Sequence, residues 1–231
     1  MNLKNKRVLA FFAHPDDETL GMGGTLARLH REGAEVYVAI AATGAYARRS
    51  HKDEATLASE HQSLNQDAKI ALALLGIPEN HQFFGEFTDN EMDKHSLLEL
   101  IHWLEKIMEE AKPDLLFTHH ERCTNVDHQY CFNAAVVATR PFADKQISLI
   151  TSEIPSSTGY LRPTKWEPNF YVELTEADVD KKIAAMESYK QEARKDPHPR
   201  SPEALKALAK VRGSESGYMW AEAFMIQRTF A

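Results

Sequence analysis

His14-Pro15-Asp16-Asp17-Glu18 sets an imidazole beside three carboxylates, directly after the apolar run Val8-Leu9-Ala10-Phe11-Phe12. Charged groups at the end of a buried segment are costly to desolvate unless something pairs with them. A divalent metal ion meets that need, because imidazole and carboxylate are ordinary zinc ligands and a spare carboxylate beside them can handle protons. The alternative is a solvated acidic start to a helix, favoured by the helix dipole, with His14 an ordinary loop histidine. A second group bears on the choice. Asn125-Val126-Asp127-His128 follows another apolar run, Leu115-Leu116-Phe117-Thr118. His14, Asp17 and His128 would together supply three ligands and leave a fourth position open for water, as a catalytic zinc requires. Asp16 is then the spare carboxylate, placed to take a proton from that water. Asn125 and Asp127, beside His128, join it as catalytic candidates. The expected cofactor is Zn2+, with Fe2+ as the alternative that the same two-histidine, one-carboxylate set suits.

For these groups to meet, the elements carrying them must end at one edge. Strand-like and helical patterns alternate along the chain. Strands are expected at 7–12, 35–40, 81–84, 115–118, 147–154 and 170–174, and helices at 24–31, 53–75, 95–111, 128–139, 175–194 and 202–211. Gly33 and Gly76 sit where helices should stop, with Pro78 just beyond the second, and Ser201-Pro202 reads as an N-cap followed by proline at the first helical position. Such alternation predicts an α/β fold with a mainly parallel, doubly wound sheet. Ligands of these sheets sit outside the carboxyl ends of the strands, so the loops carrying His14 and His128 should open toward the same edge.

The sequence resembles the PIG-L/LmbE family of zinc-dependent N-deacetylases. The resemblance rests first on Ala13-His14-Pro15-Asp16-Asp17-Glu18 and on Asp127-His128. Supporting segments are Gly21-Met22-Gly23-Gly24-Thr25-Leu26, Leu75-Gly76, Thr88-Asp89-Asn90 with Asp93, Thr139-Arg140-Pro141 and Glu153-Ile154-Pro155-Ser156-Ser157-Thr158. Pro197-His198-Pro199-Arg200-Ser201, Arg212-Gly213 and Ala221-Glu222-Ala223-Phe224 complete them, so the likeness spans residues 7 to about 226. It implies a Rossmann-like three-layer sandwich formed by residues 1–231 as one domain, with about 175–231 as a helical and strand extension. It also implies hydrolysis of the N-acetyl group of an amino sugar of the N-acetylglucosamine type, or of its conjugate. His14, Asp17 and His128 become metal ligands and Asp16 the general base. Family members often carry histidine where this chain has Asn125. An asparagine can donate a hydrogen bond to an oxyanion but has no proton to give at neutral pH, which leaves His119, His120 or Asp16 itself to protonate the leaving amine. Asp89 resembles a position that binds sugar hydroxyls, against a plain turn role. His120 is carried with it as a substrate contact, and so is Arg140, which could meet an anionic group or simply cap a helix. Trp166 could stack on a sugar or fill the core.

Composition narrows the partners. The net charge of −7 lacks the basic field of a nucleic-acid binder, Arg48-Arg49 being offset by nearby acids. Cys123 and Cys131, eight apart, form no disulfide framework and suit a reducing cytoplasm. The apolar run at 8–12 is too short for a signal-peptide core, and no run approaches a membrane span. A small-molecule amino sugar is therefore the expected partner, with a homo-oligomer possible. Three other readings stay open. One is a metal-dependent amidase acting on an N-formyl or thiol-conjugate amide, and another is a non-catalytic metal- or sugar-binding protein. The last is a Rossmann nucleotide binder, on Gly21 and Gly23, with Leu26 where a third glycine belongs. Gly213-Ser214-Glu215-Ser216-Gly217 is no serine-hydrolase elbow, since its central residue is Glu215.

Overall fold

The computed structural model describes residues 3–43, 54–142, 146–160 and 166–230, so Arg48, Arg49 and the expected helix start at Asp53 lie outside the described residues. Strand β1 (Arg7–Phe12) is apolar throughout because both its faces are covered. Val8, Ala10 and Phe12 turn toward one layer of helices, and Leu9, Phe11 and the following Ala13 toward the other. The remaining strands are β2 (Glu35–Thr43), β3 (Gln82–Thr88), β4 (Leu115–His119), β5 (Ser148–Ser152), β6 (Phe170–Leu174) and β7 (Trp220–Arg228). They form one sheet in the order β3-β2-β1-β4-β5-β7-β6. The first five run parallel, and β7 lies antiparallel between β5 and β6. Helices α1 (Asp17–Arg31), α2 (Glu54–Leu74), α5 (Glu176–Ser188) and α6 (Pro202–Ser216) cover one face, and α3 (Leu97–Ala111) and α4 (Val126–Ala138) the other. This is the three-layer, mainly parallel arrangement that the alternation predicts. The chain turns from β1 outward to β2 and β3, then returns to β4 on the other side. The crevice at such a switch point opens beyond the carboxyl ends of β1 and β4.

Helix α1 begins at Asp17, seven residues before the expected start at Gly24. Three glycines and a cluster of acids disguise it, since glycine weakens a helix by about 1 kcal/mol per residue relative to alanine. Tertiary contacts supply what local propensity lacks. The helix kinks at Met22 (φ −154°), and the carboxylate of Glu222 on β7 caps the second half, accepting the Gly24 N–H at 3.1 Å and the Thr25 N–H at 2.6 Å. Lys182 of α5 donates to that carboxylate at 2.6 Å and to the Leu20 carbonyl, which closes the first half, at 2.8 Å. A Cβ on Gly24 would stand 2.5 Å from Leu174 Cδ1, so glycine lets the kink sit against the sheet. These glycines therefore lie inside a helix and not in a phosphate-binding turn, which removes the nucleotide-binder reading.

Other boundaries shift by one to several residues, and strand β7 was not expected from the sequence. Helix α5 ends at Ser188 rather than near 194, because Tyr189 leaves the helix to bury its ring and donate its hydroxyl to Glu18 at 2.6 Å. Helix α6 continues through Gly213 to Ser216, where Gly217 (φ +79°) closes it. Gly213 is read more naturally as a turn, but a side chain there would strike the Tyr218 and Met219 carbonyls. Strand β3 runs on to Thr88 across a bulge at Gly85. The caps fall as expected: Ser201 Oγ accepts the Ala204 N–H, and Gly76 takes φ +88° beyond α2. No helix among the described residues is long and apolar enough to cross a membrane.

Asp178 ties α5 to α1. It accepts from the Thr175 backbone and hydroxyl at 2.9 and 2.7 Å and from Arg31 Nη2 at 2.9 Å. Burial pushes its carboxyl up, but Arg31 and Thr175 outweigh burial and hold it below the usual range. A carboxyl lowered by folding adds stability above its unfolded pKa and loses it as the pH falls through its folded value. Asp178→Asn is therefore expected to cost about 1 kcal/mol at pH 7, as a lost helix cap does. Urea titrations should show the gap to the unaltered protein closing below about pH 4; a gap that is constant with pH contradicts the assignment.

Candidate metal centre

His14 and Asp17 follow β1, and His128 lies in the first turn of α4 beyond β4, so the two loops do open to the same edge. The side chains meet. His14 Nδ1 lies 3.2 Å from Asp17 Oδ2, His128 Nε2 lies 3.1 Å from the same oxygen, and the two nitrogens are 3.3 Å apart. Donors about 2.0–2.1 Å from a tetrahedral zinc stand about 3.3 Å from one another. The triangle therefore has the dimensions of one face of such a site, and its two imidazoles and carboxylate are a fitting donor set. All three residues line a cavity of about 590 Å³, so the face opens onto it.

The charges around the triangle follow from its burial. Desolvation alone would lower the pKa of both ligand imidazoles. For His14 the bonds to Asp127, Asp17 and Asp89 outweigh it and raise the group above its ordinary value. For His128 the Asp17 carboxylate and Cys123 raise it to about 9. Burial pushes Asp17 up, but the charge of His128 and the bonds from His128 and His14 hold it well below the usual carboxylate range. These are cation-seeking surroundings.

Outer contacts orient the ligand rings. His14 presents Nδ1 to the triangle and directs Nε2 at Asp127 Oδ2, 2.9 Å away, and Asp89 Oδ1, 3.1 Å away. Asp127 also accepts the Asn90 N–H at 2.6 Å and the Met92 N–H at 3.2 Å, one on each oxygen. Both its oxygens are thus engaged by the backbone or His14, which marks His14, Asp89 and Asp127 as a ring-orienting group. A carboxylate holding the far nitrogen of a metal-ligating histidine is the usual outer-shell device. His119 Nε2 accepts the Ala13 N–H at 2.8 Å, and its ring stacks on His128 at 3.8 Å. Burial and His128 keep its pKa well below the ordinary value, which leaves it neutral.

Asp16 stands beside the triangle on the cavity wall with φ +108°, a conformation that costs a non-glycine residue of order 1–3 kcal/mol. Its N–H donates to buried Glu18 at 3.1 Å, and its Oδ2 accepts from Arg200 Nη1 at 2.6 Å. The same Nη1 is 2.6 Å from Glu192. Burial raises Asp16 well above the usual carboxylate range, and Arg200 opposes only part of that. Asn125 caps α4, accepting the Asp127 N–H at 2.8 Å and donating one amide hydrogen to Asn90 Oδ1 at 3.1 Å, with a second hydrogen to spare.

The structure thus gathers His14, Asp16, Asp17, Asp89, Asn125 and His128 around the cavity, with Asp127 directly behind His14. Two substrate candidates fall elsewhere. His120 is buried against Trp166, with ring centroids 5.3 Å apart, and is not among the described residues lining the cavity. Arg140 lies past the far end of the 13-residue α4, about 20 Å from its start, and caps that helix through the Val137 carbonyl at 3.1 Å. Trp166 is half-buried and does not line the cavity either. Sequence reading gave no role to Arg200, Glu192 or His198, all on the cavity wall. The resemblance of Pro197-His198-Pro199-Arg200-Ser201 was a signal for His198 and Arg200, and Glu192 had none.

The family model PIG-L, described as GlcNAc-PI de-N-acetylase, matches residues 9–139. A protein of Escherichia coli K12 described as an uncharacterized deacetylase, YaiS, is 28% identical over 195 residues, covering 81% of this chain and 92% of that protein. Among solved structures, N,N'-diacetylchitobiose deacetylase of Pyrococcus horikoshii superposes with TM-score 0.77 at 20% identity, covering 98% of this chain and 87% of that one. GalB of Pseudomonas putida KT2440, a 4-carboxy-2-hydroxymuconate hydratase, superposes with TM-score 0.76 at 19% identity, covering 98% of each chain. One fold thus carries a deacetylase and a hydratase, so the reaction has to be argued from the site.

Proposed function

The chain belongs to the PIG-L family of deacetylases, and on that footing we propose that it is a zinc-dependent hydrolase removing the N-acetyl group from an amino sugar of the N-acetylglucosamine type or its conjugate. One observation carries the reading: three ligand atoms 3.1–3.3 Å apart form a triangle that opens onto a cavity with a spare carboxylate, Asp16, beside it.

His14, Asp17 and His128 would hold the metal, which when bound would polarise the acetyl carbonyl and make a water molecule easier to deprotonate. The rest is the work of the chain. Asp16 takes the proton of the attacking water, and Arg200 holds its Oδ2 so that the carboxylate stays oriented. The spare amide hydrogen of Asn125 donates to the carbonyl oxygen as charge develops there. Asp16 then returns the proton to the departing amine. Burial favours its protonated form, and His119 is neutral with Nε2 committed to Ala13. Among the described residues, His198 is the one other imidazole on the cavity wall, and burial with Arg200 and Arg194 lowers its pKa further. A cavity of about 590 Å³ lies in the usual small-molecule range, and its polar walls suit sugar hydroxyls, with Asp89 among the contacts.

The test is acetate release from N-acetylglucosamine, N,N'-diacetylchitobiose and an inositol-linked N-acetylglucosamine. The protein would be used as purified, after chelator treatment and after zinc is restored. Equal amounts of acetate and free amine from at least one substrate, lost with the metal and regained with it, are expected. A zinc-loaded protein that leaves every acetamide intact but cleaves an N-formyl analogue would move the assignment to another amide.

A further inference from the structure

The ring of His14 is oriented by carboxylates, whereas no carboxylate among the described residues is shown facing Nδ1 of His128. Cys123 Sγ occupies that place, 3.1 Å away, with both residues buried. When Nε2 gives its lone pair to a metal at the triangle, the one hydrogen left on a neutral His128 is on Nδ1 and points at sulfur. The sulfur is itself held. Its S–H is directed at Ser157 Oγ, 3.0 Å away, and the Cys123 carbonyl accepts from Gln129 Nε2 at 2.7 Å. The Cys123 N–H donates to the His120 carbonyl at 3.2 Å. A cysteine whose backbone and side chain are both fixed has the features of an orienting group rather than of filler.

We infer that Cys123 is a positioning residue for the metal centre, accepting the Nδ1–H of His128 through sulfur where carboxylates serve His14. This rests on the proposed metal site. The contact fixes which nitrogen of His128 carries hydrogen and which presents its lone pair to the triangle, and it restrains rotation of the ring. The other buried cysteine gives the contrast: Cys131 lies on α4 against Met92, with sulfurs 4.0 Å apart, in the apolar layer behind the site.

Removing an outer-shell partner of a metal-ligating histidine typically weakens metal binding about 10–100-fold. Zinc dissociation constants would be measured by competition with a chromophoric chelator for the unaltered protein, Cys123→Ala, Cys123→Ser and Cys131→Ala, each checked for a cooperative melt. Cys123→Ala should lose affinity by that factor. Cys123→Ser keeps an acceptor at shorter reach and should lose less, and Cys131→Ala should stay within about twofold of the unaltered protein. The Nδ1–H resonance of His128 in 15N-histidine-labelled, zinc-loaded protein should disappear or shift in Cys123→Ala alone. Unchanged affinity in Cys123→Ala overturns the inference, as does an equal loss in Cys131→Ala. Should Cys123→Ala fail to fold, unchanged affinity in Cys123→Ser overturns it. An unaltered protein that binds no zinc brings down the metal-site reading itself, a result distinct from both.

Discussion

Asp16→Asn is expected to leave the protein folded and metal-loaded while lowering kcat by about 10²–10⁴-fold, the range for loss of a general acid–base group. The substitution is nearly isosteric, and asparagine tolerates the left-handed backbone that Asp16 occupies at φ +108°. Arg200 keeps Glu192 as a partner at 2.6 Å, so no buried cation is stranded. The ligand triangle does not use Asp16. The loss should therefore fall on kcat, with bound zinc unchanged by elemental analysis. A variant turning over within about fivefold of the unaltered protein would place the base elsewhere on the cavity wall, with Asp89 and Glu192 next in line.

The second large effect concerns stability. Glu222→Ala removes the carboxylate that caps the kink of α1, leaving the Gly24 and Thr25 amides without their partner and Lys182 buried with only the Leu20 carbonyl. Breaking one side of a buried ion pair costs about 3–5 kcal/mol, a large part of the 5–15 kcal/mol that typically holds a domain together. Urea unfolding should show the midpoint falling with the slope unchanged. Adding Lys182→Met should restore part of the loss, because the stranded ammonium is the expensive remnant. A loss below about 1 kcal/mol in Glu222→Ala would mean that the glycine-rich kink holds its shape without the cap. The consequence reaches the site, since Asp17 is the first residue of the helix that this cap keeps in place.

The legibility of these features differs for a physical reason. His14, Asp16 and Asp17 are contiguous, and His128 follows a strand whose place in a doubly wound sheet is set by alternation, so spacing and topology together point to their meeting. Arg200 is 184 residues from Asp16 and Glu222 is 198 from Gly24. Nothing local in either residue announces the partner. The first half of α1 was hidden for the same cause: glycines that count against a helix locally are those that let it sit against Leu174 and Lys182. Arg140 and His120 show the converse. Each lies near a motif in sequence, yet a 13-residue helix carries one past the far end of α4, and one step past β4 turns the other away from the cavity.

The central claim is that His14, Asp17 and His128 form three corners of an open metal site, and anomalous diffraction at the zinc edge from crystals of zinc-loaded protein tests it most directly. The account predicts a single peak about 2.0–2.2 Å from His14 Nδ1, His128 Nε2 and Asp17 Oδ2, with its remaining position facing the cavity. A fully loaded crystal with no peak there, or with zinc held instead between Asp89 and Asp127, would contradict it.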